Sequence, residues 1–158
     1  MSKLFENKFG VERITKTDSV EYAKLMRIYH DNTPVEIKTN TNEITAWLDK
    51  KTDDNSFELL IFALYLDDSI VGMAMLGYVK KYRTIIVDYM ALNREHKINA
   101  VFFSYLSLLQ DYIKQNGYDV DYYVTEISNK HGGKNVDRES SFFKKLICLE
   151  GFGLGIAD

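Results

Sequence analysis

The stretch from Leu59 to Val79 limits the possible folds of this chain more than any other. Leu59-Leu60-Ile61-Phe62-Ala63-Leu64-Tyr65-Leu66 carries no charge and no polar break. It is too short to span a bilayer and too evenly apolar for a strand with one wet face. It reads as a central strand covered on both sides. Asp67-Asp68-Ser69 is turn chemistry, and Ile70 to Val79 returns as the other strand of a hairpin. Lys80-Lys81-Tyr82-Arg83 makes a charged turn, and Thr84 to Leu92 is the next strand. Connections this short make the three strands antiparallel.

The remaining segments supply the cover. Phe9 to Thr15 alternates loosely and predicts a short first strand. Asp18 with Glu21 three residues on is a capping-box-like start for a helix that places Tyr22, Leu25, Met26 and Tyr29 on one face. Pro34 excludes helix just before it. Asn40 with Glu43 opens a shorter helix bearing Ile44, Trp47 and Leu48. A polar loop, Asn93 to Lys97, precedes the longest helix, whose period is held by Ile98, Val101, Phe102, Tyr105, Leu109 and Tyr112. Gly117 is a natural left-handed stop. Tyr118 to Ile127 predicts a strand, residues 128–136 a loop, and Asp137 caps a last helix with Phe142, Phe143, Leu146 and Ile147, ended by Gly151-Phe152. The long helix lets the strand after it lie parallel to the strand before it. The expected fold class is therefore α/β (α+β), a mixed, mostly antiparallel central sheet with helices on both faces.

Composition narrows the partners. The chain has 158 residues, which fits one domain over 1–158. With 20 basic against 23 acidic residues, it lacks the positive excess that binds phosphate backbones, so no nucleic-acid partner is expected. The single cysteine, Cys148, allows no intramolecular disulfide and fits a reducing compartment. It reads as a small core residue on an apolar helix. No stretch is long and apolar enough to span a bilayer and none resembles a leader, so the expectation is a cytoplasmic protein with no membrane partner. His30, His96 and His131 are far apart in sequence and make no metal-spacing motif, so no metal is expected. Gly132-Gly133-Lys134 lacks the spacing of a phosphate-binding loop.

The order of segments, the hairpin phrase Leu66-Asp67-Asp68-Ser69-Ile70-Val71-Gly72-Met73-Ala74, the block Tyr89-Met90-Ala91-Leu92 before a polar loop and long helix, and the closing Ser141-Phe142-Phe143-Lys144-Lys145-Leu146 with Gly151-Phe152 resemble the GNAT superfamily of acyl-CoA N-acyltransferases. The resemblance covers roughly residues 9 to 152 and rests on order and pattern more than on invariant residues. It implies acetyl-CoA as cosubstrate and an amine, on a small molecule or a protein, as acceptor. It also implies a splayed pair of strands whose free backbone groups along Tyr89, Met90, Ala91 and Leu92 pair with pantetheine. The pyrophosphate would sit on the loop Arg94-Glu95-His96-Lys97-Ile98-Asn99-Ala100 and the first turn of the helix. The family pattern there is R/Q-x-x-G-x-G/A. Arg94 fits its first position and Ile98 the apolar spacer, while Lys97 and Asn99 stand where glycines or small residues belong. Asn129, after the fifth strand of the family pattern, stands where an amide often contacts pantetheine.

Amine acylation needs a base for the amine's proton and a donor for the leaving thiolate. Asp88 and Glu126 are the carboxylates on predicted central strands, where desolvation among apolar neighbours would raise the pKa of either, which suits a base. The family's proton-donating tyrosine aligns with Phe143, which has no proton to give. Tyr89, Tyr122 and Tyr123 are candidate replacements, and the sequence selects none. The family adds two strands after Gly-Phe, whereas 153–158 is short. The expectation is either an open sheet edge that can pair with a second copy as a homodimer, or a lost continuation. Two function classes stand: an N-acetyltransferase, or a catalytically inactive GNAT-fold binding or regulatory domain that uses its cleft or open edge for a partner.

Overall fold

The computed structural model describes residues 3–6, 8–35, 38–49, 56–93, 95 and 99–125, with the backbone only at Lys3, Phe5, Asn99 and Ala100. The chain divides into two compact units, Met1–Thr125 and Glu126–Asp158, and every described residue belongs to the first. The predicted final helix, with Phe143 and Cys148, and the loop with His131 lie outside the described residues.

Six strands form one sheet in chain order: β1 (Lys3–Glu6), β2 (Phe9–Ile14), β3 (Phe57–Leu66), β4 (Ser69–Val79), β5 (Thr84–Leu92) and β6 (Tyr122–Val124). β1 to β5 pair antiparallel, and β6 pairs parallel to β5. The helices are α1 (Val20–Asn32), α2 (Thr41–Leu48) and α3 (Asn99–Gln115), and a 3-10 turn over Lys80–Tyr82 joins β4 to β5. The mixed, mostly antiparallel sheet anticipated from the apolar runs is present.

β3 shows why both faces need helices. Leu60, Phe62 and Leu64 pack on one side with Tyr105, Leu108, Leu109, Tyr112 and Ile113 of α3. Leu59, Ile61, Ala63 and Tyr65 pack on the other with Tyr22, Leu25, Met26 and Tyr29 of α1 and Ile44 and Leu48 of α2. Successive side chains of a strand point to opposite faces, so an unbroken apolar run fills both cores at once.

Three expectations need correction. β1 was not anticipated: Leu4 sits opposite Val11 and Phe5 opposite Gly10, which makes β2 an interior strand. The cap of α1 is Ser19 rather than Asp18. Ser19 Oγ accepts the N–H of Tyr22 at 3.1 Å, leaving Glu21 as an acidic residue in the first turn, where the helix dipole favours it. The last described strand is shorter than Tyr118 to Ile127 because Tyr118 belongs to the end of α3. Gly117 takes φ 75°, its N–H donates to Lys114 O at 3.3 Å, and the Tyr118 N–H donates to Ile113 O at 3.2 Å. This pair of bonds closes a helix on a left-handed glycine.

Candidate active site

β5 carries the residues singled out for cofactor and chemistry, and a bulge decides where they point. Leu76 faces Val87 and Met75 faces Tyr89, so Asp88 has no opposite number on β4. One extra residue in a strand exchanges the faces of everything after it. Ile85 and Val87, before the bulge, pack on the α3 side. Tyr89 would follow them in a regular strand, but it and Ala91 pack on the α1 side, while Met90 and Leu92 take the α3 side. A similar irregularity between Leu64 and Tyr65 leaves Val71 as the extra residue of β4.

Among the described residues the outer edge of β5 is paired for only a third of its length. β6 meets Thr84, Ile85 and Ile86, and Thr125 Oγ1 donates to Val87 O at 3.1 Å in place of a further ladder bond. Among the described residues no strand pairs with 88–92 on the side away from β4. The Asn93 N–H donates to Val71 O at 2.7 Å, so Asn93 faces β4. Backbone groups alternate sides along a strand, which turns those of Leu92 and Met90 outward to the unpaired edge. After Asn93 the chain reaches the first turn of α3 at Asn99, whose leading N–H groups have no partner within the helix. An open strand edge running toward a helix N-terminus is an arrangement for an amide-bearing chain that ends in an anion.

The sequence-predicted residues divide as follows. Tyr89, Met90, Ala91 and Leu92 lie together at this edge, with Ala91 and Leu92 buried. Glu95 is exposed in the connection. Arg94, His96, Lys97 and Ile98, together with Glu126 and Asn129, lie outside the described residues, as does the side chain of Asn99. Asp88 is exposed at the bulge, so the desolvation invoked for it does not operate there. β6 forms the last position of the sheet among the described residues, not a central one.

The three candidate tyrosines differ in kind. Tyr122 is exposed. Tyr123 is half-buried against the α3-side core, and burial raises its pKa above the ordinary tyrosine value. Tyr89 lies on the open strand. Its ring meets that of Tyr29 edge-on at 4.9 Å. Its hydroxyl is buried and has no hydrogen-bond partner among the described residues, and the same holds for Thr33 Oγ1. Burial pushes Tyr89 above the ordinary tyrosine value, and neighbouring Thr33 tempers the rise without reaching hydrogen-bond geometry. An unpaired buried hydroxyl costs about 1–3 kcal/mol. The sequence held no sign of this pair, because Thr33 reads as an ordinary residue before a proline and the face of Tyr89 depends on the bulge.

Elsewhere in the sheet most polar groups bond one another, although Arg13 Nε is buried without a hydrogen-bond partner among the described residues. On the α3 side, Arg13 donates to Tyr118 Oη at 2.8 Å and to Glu58 Oε1 at 2.6 Å, and Tyr118 Oη donates to the same carboxylate oxygen at 3.3 Å. Burial alone would lower the Arg13 guanidinium, but Glu58 and the tyrosines around it more than reverse this. A cavity of about 410 Å³ beside this cluster is lined by Ser56, Glu58, Tyr78 and Lys80. It lies by the first residues of β3 and the last of β4, and the unpaired part of β5 is at its other end. No group of three or more potential metal ligands occurs among the described residues, and no described helix is long and apolar enough to cross a membrane.

No protein-family model matches the chain, and no curated protein matches it. Solved structures do match it. An aminoglycoside acetyltransferase from an uncultured soil metagenomic sample, in complex with trehalose, is 12% identical with TM-score 0.63, covering 97% of this chain and 95% of the other. A protein from Bacteroides thetaiotaomicron assigned to the GNAT acetyltransferases is 14% identical with TM-score 0.66, over 86% of this chain and 69% of its own. A ribosomal-protein-alanine N-acetyltransferase from Brucella melitensis biovar Abortus 2308 is 13% identical with TM-score 0.60, over 96% and 94%. At such identities the likeness is one of fold.

Proposed function

The chain adopts the GNAT fold, and on that premise we propose that it is an N-acetyltransferase that moves an acetyl group from acetyl-CoA to an amine. The observation that carries this reading is the β5 edge. After the bulge at Asp88 the backbone of Met90 and Leu92 is turned to the outer side, where no strand pairs with it among the described residues, and α3 is the next element in the chain. Pantetheine amides would complete that edge as a strand would, and the pyrophosphate would take the first N–H groups of α3, with Arg94 and Lys97 adding charge. Glu95, His96, Ile98, Asn99 and Asn129 belong to the same proposed cofactor contact.

In the reaction the amine nitrogen bonds to the thioester carbon, the C–S bond breaks, and the thiolate takes up a proton. The nitrogen gives up its own proton to a base. Asp88, exposed beside the edge, and Glu126 are the two carboxylates proposed for that role. The fold neighbours act on amines of aminoglycosides and ribosomal proteins by their names, and an amine of either kind is the acceptor class proposed here.

The second reading, a GNAT-shaped binding domain without catalysis, is favoured by one feature: Lys97 and Asn99 stand where glycines would let a cofactor approach the backbone. A thermal-shift titration with acetyl-CoA separates the two. A ligand that binds only the folded state adds about 2.7 kcal/mol of stability at a hundred times its dissociation constant, and the melting midpoint rises with its concentration. Arg94→Ala should weaken the rise. A flat titration at millimolar acetyl-CoA would sink the enzyme reading and leave the binding domain.

A further inference from the structure

The cavity of about 410 Å³ at the start of β3 and the end of β4 plays no part in the acetyl-transfer reading. The described residues that line it are Ser56, Glu58, Tyr78 and Lys80, and the ladder explains why these four meet. Glu58 stands directly opposite Tyr78, and one further pair, Phe57 with Val79, closes the ladder. Just beyond it the Lys80 N–H donates to Ser56 O at 3.1 Å and keeps the two chains together. Residues two apart in an extended chain share a face, so Ser56 and Lys80 follow Glu58 and Tyr78. Tyr78 is buried and fixed, its ring edge-on to Tyr118 at 5.1 Å and its hydroxyl donating to Asp119 O at 3.1 Å. Ser56 and Lys80 are exposed, and the cavity is open to solvent. Two opposite charges line this space without meeting. Arg13 at 2.6 Å and Tyr118 at 3.3 Å both bond Glu58 through Oε1, and no described residue bonds Oε2. Lys80 makes no ion pair among the described residues.

We propose that this cavity binds a free α-amino acid, as a ligand separate from anything held at the β5 edge. Its ammonium donates to Glu58 Oε2, its carboxylate pairs with the Lys80 ammonium, and its side chain lies against Tyr78. Glu58 and Lys80 are diagonal neighbours across the end of the hairpin, roughly 7–8 Å apart in a regular ladder. That gap suits one small molecule with a charge at each side. A plain amine would set its cation beside Lys80, and a plain carboxylate would set its anion beside Glu58. A molecule with both charges on one carbon leaves neither group facing its own sign. A hydroxy acid offers Glu58 a neutral donor, which makes a weaker bond than an ammonium. Arg13 holds the Glu58 carboxylate in place before the ligand arrives, so little ordering is lost on binding. The volume lies at the small end of about 300–1,000 Å³ for ligand pockets, which fits a small amino acid. The site is independent of whether the chain transfers acetyl groups.

The test is calorimetric titration of the full chain with alanine, serine and glutamate at millimolar concentration, beside thermal scans. Propionate, ethylamine and lactate are the controls, each being alanine with one group removed or exchanged. At least one of the amino acids should bind, and the three controls should bind about tenfold more weakly or not at all. Lys80→Gln should melt as the wild type does without ligand, because its exposed side chain bonds nothing there, and should lose about tenfold in affinity. Lys80→Arg, which keeps the charge, should restore most of that loss. Glu58→Gln should abolish binding as well, but it also loosens the Arg13 pair, so the Lys80 variants carry the test. An amino acid held at the β5 edge instead would bind Lys80→Gln as it binds the wild type. The proposal is overturned if no amino acid binds, if propionate, ethylamine or lactate binds as well as alanine, or if Lys80→Gln keeps its affinity within about twofold.

Discussion

Two polar clusters sit on opposite faces of the same sheet, and they are built on opposite plans. Arg13, Glu58 and Tyr118 bring a cation, an anion and a phenol from β2, β3 and the end of α3 into three mutual hydrogen bonds. Thr33 and Tyr89 bring two neighbouring hydroxyls from the end of α1 and from β5, neither with a hydrogen-bond partner among the described residues. The first cluster joins elements far apart in sequence and stands at the closed end of the sheet, where β5 is still paired to β6. The second stands where β5 has no outer neighbour among the described residues. Polar groups that bond one another hold a fold together, and a buried hydroxyl left unbonded costs stability instead. The contrast can be broken from either side.

The largest effect is expected at Arg13. Its side chain is 20% exposed and that of Glu58 29%, so solvent weakens the pair but does not dissolve it. Arg13→Ala leaves the Glu58 carboxylate half-buried against Tyr118 with no cation. Removing one partner of a fully buried pair costs about 3–5 kcal/mol, and partial exposure brings the expectation here to about 2 kcal/mol. For a chain of this size that is a fall of about 4–8 °C in melting midpoint. A change below about 1 °C would show that this cluster is no more structural than the hydroxyl pair, and the contrast would fail.

Gly72 is the next most sensitive position, because it lies where β4 supports the open half of β5. A Cβ there would meet the Ala91 backbone oxygen and come within 2.6 Å of Leu92 Cδ2. Backbone cannot yield as a side chain can, so Gly72→Ala should push β5 outward at Ala91–Leu92 at a cost of about 1–3 kcal/mol. It should also blunt the acetyl-CoA thermal shift more than Arg13→Ala does. Equal blunting by the two variants would mean that the outer edge of β5 does not carry the cofactor.

These positions also show what a single sequence can disclose. β5 was readable to the residue, Thr84 to Leu92, because charged turn residues precede it and a polar loop follows. α3 and the hairpin of β3 and β4 were readable from period and turn chemistry. β1 was not, since Lys-Leu-Phe-Glu has two apolar residues and too little pattern to separate it from a tail. The bulge at Asp88 was hidden for the opposite reason. Ile85 to Leu92 is apolar on both sides of it, so no alternation exists to be interrupted, and without the bulge nobody could say which face Tyr89 takes. The Thr33 and Tyr89 pair is a product of tertiary packing across 56 positions, and Arg13 with Tyr118 is another. Tyr89 to Leu92 were singled out by resemblance, and they lie together at an edge that no strand pairs among the described residues.

A smaller effect is expected at Tyr118. Its hydroxyl accepts from Arg13 and donates to Glu58, and its ring stacks edge-on against Tyr78 at 5.1 Å. Tyr118→Phe keeps the ring and the helix-closing backbone bond and removes only the oxygen. The expected loss is about 1 kcal/mol, or about 2–4 °C. Tyr89→Phe keeps its ring contact with Tyr29 likewise, yet should cost nothing at neutral pH. The pair of variants therefore measures the difference between the clusters with one chemical change made twice.

Alkaline pH supplies the finest version of that measurement. Burial raises Tyr89 above the ordinary value of 10, and raises Tyr118 as well, with Arg13 opposing the rise and Glu58 adding to it. A tyrosine whose folded value is raised keeps its proton longer in the folded state than in the unfolded one. Stability from that difference is complete below pH 10 and is lost as pH climbs through the folded value. Tyr105, pushed up to about 12 by burial with its hydroxyl bonded to Tyr65 O at 2.7 Å, extends the window upward. Tyr89→Phe removes one such group, so its midpoint should equal the wild type at pH 7 and fall less steeply above pH 10. Tyr118→Phe should start lower at pH 7 and converge on the wild type over the same range, because the lost hydrogen bonds matter less once the phenol ionises. Parallel curves for the two variants would mean that their hydroxyls do the same work, and the distinction between a bonded and an unbonded cluster would not survive.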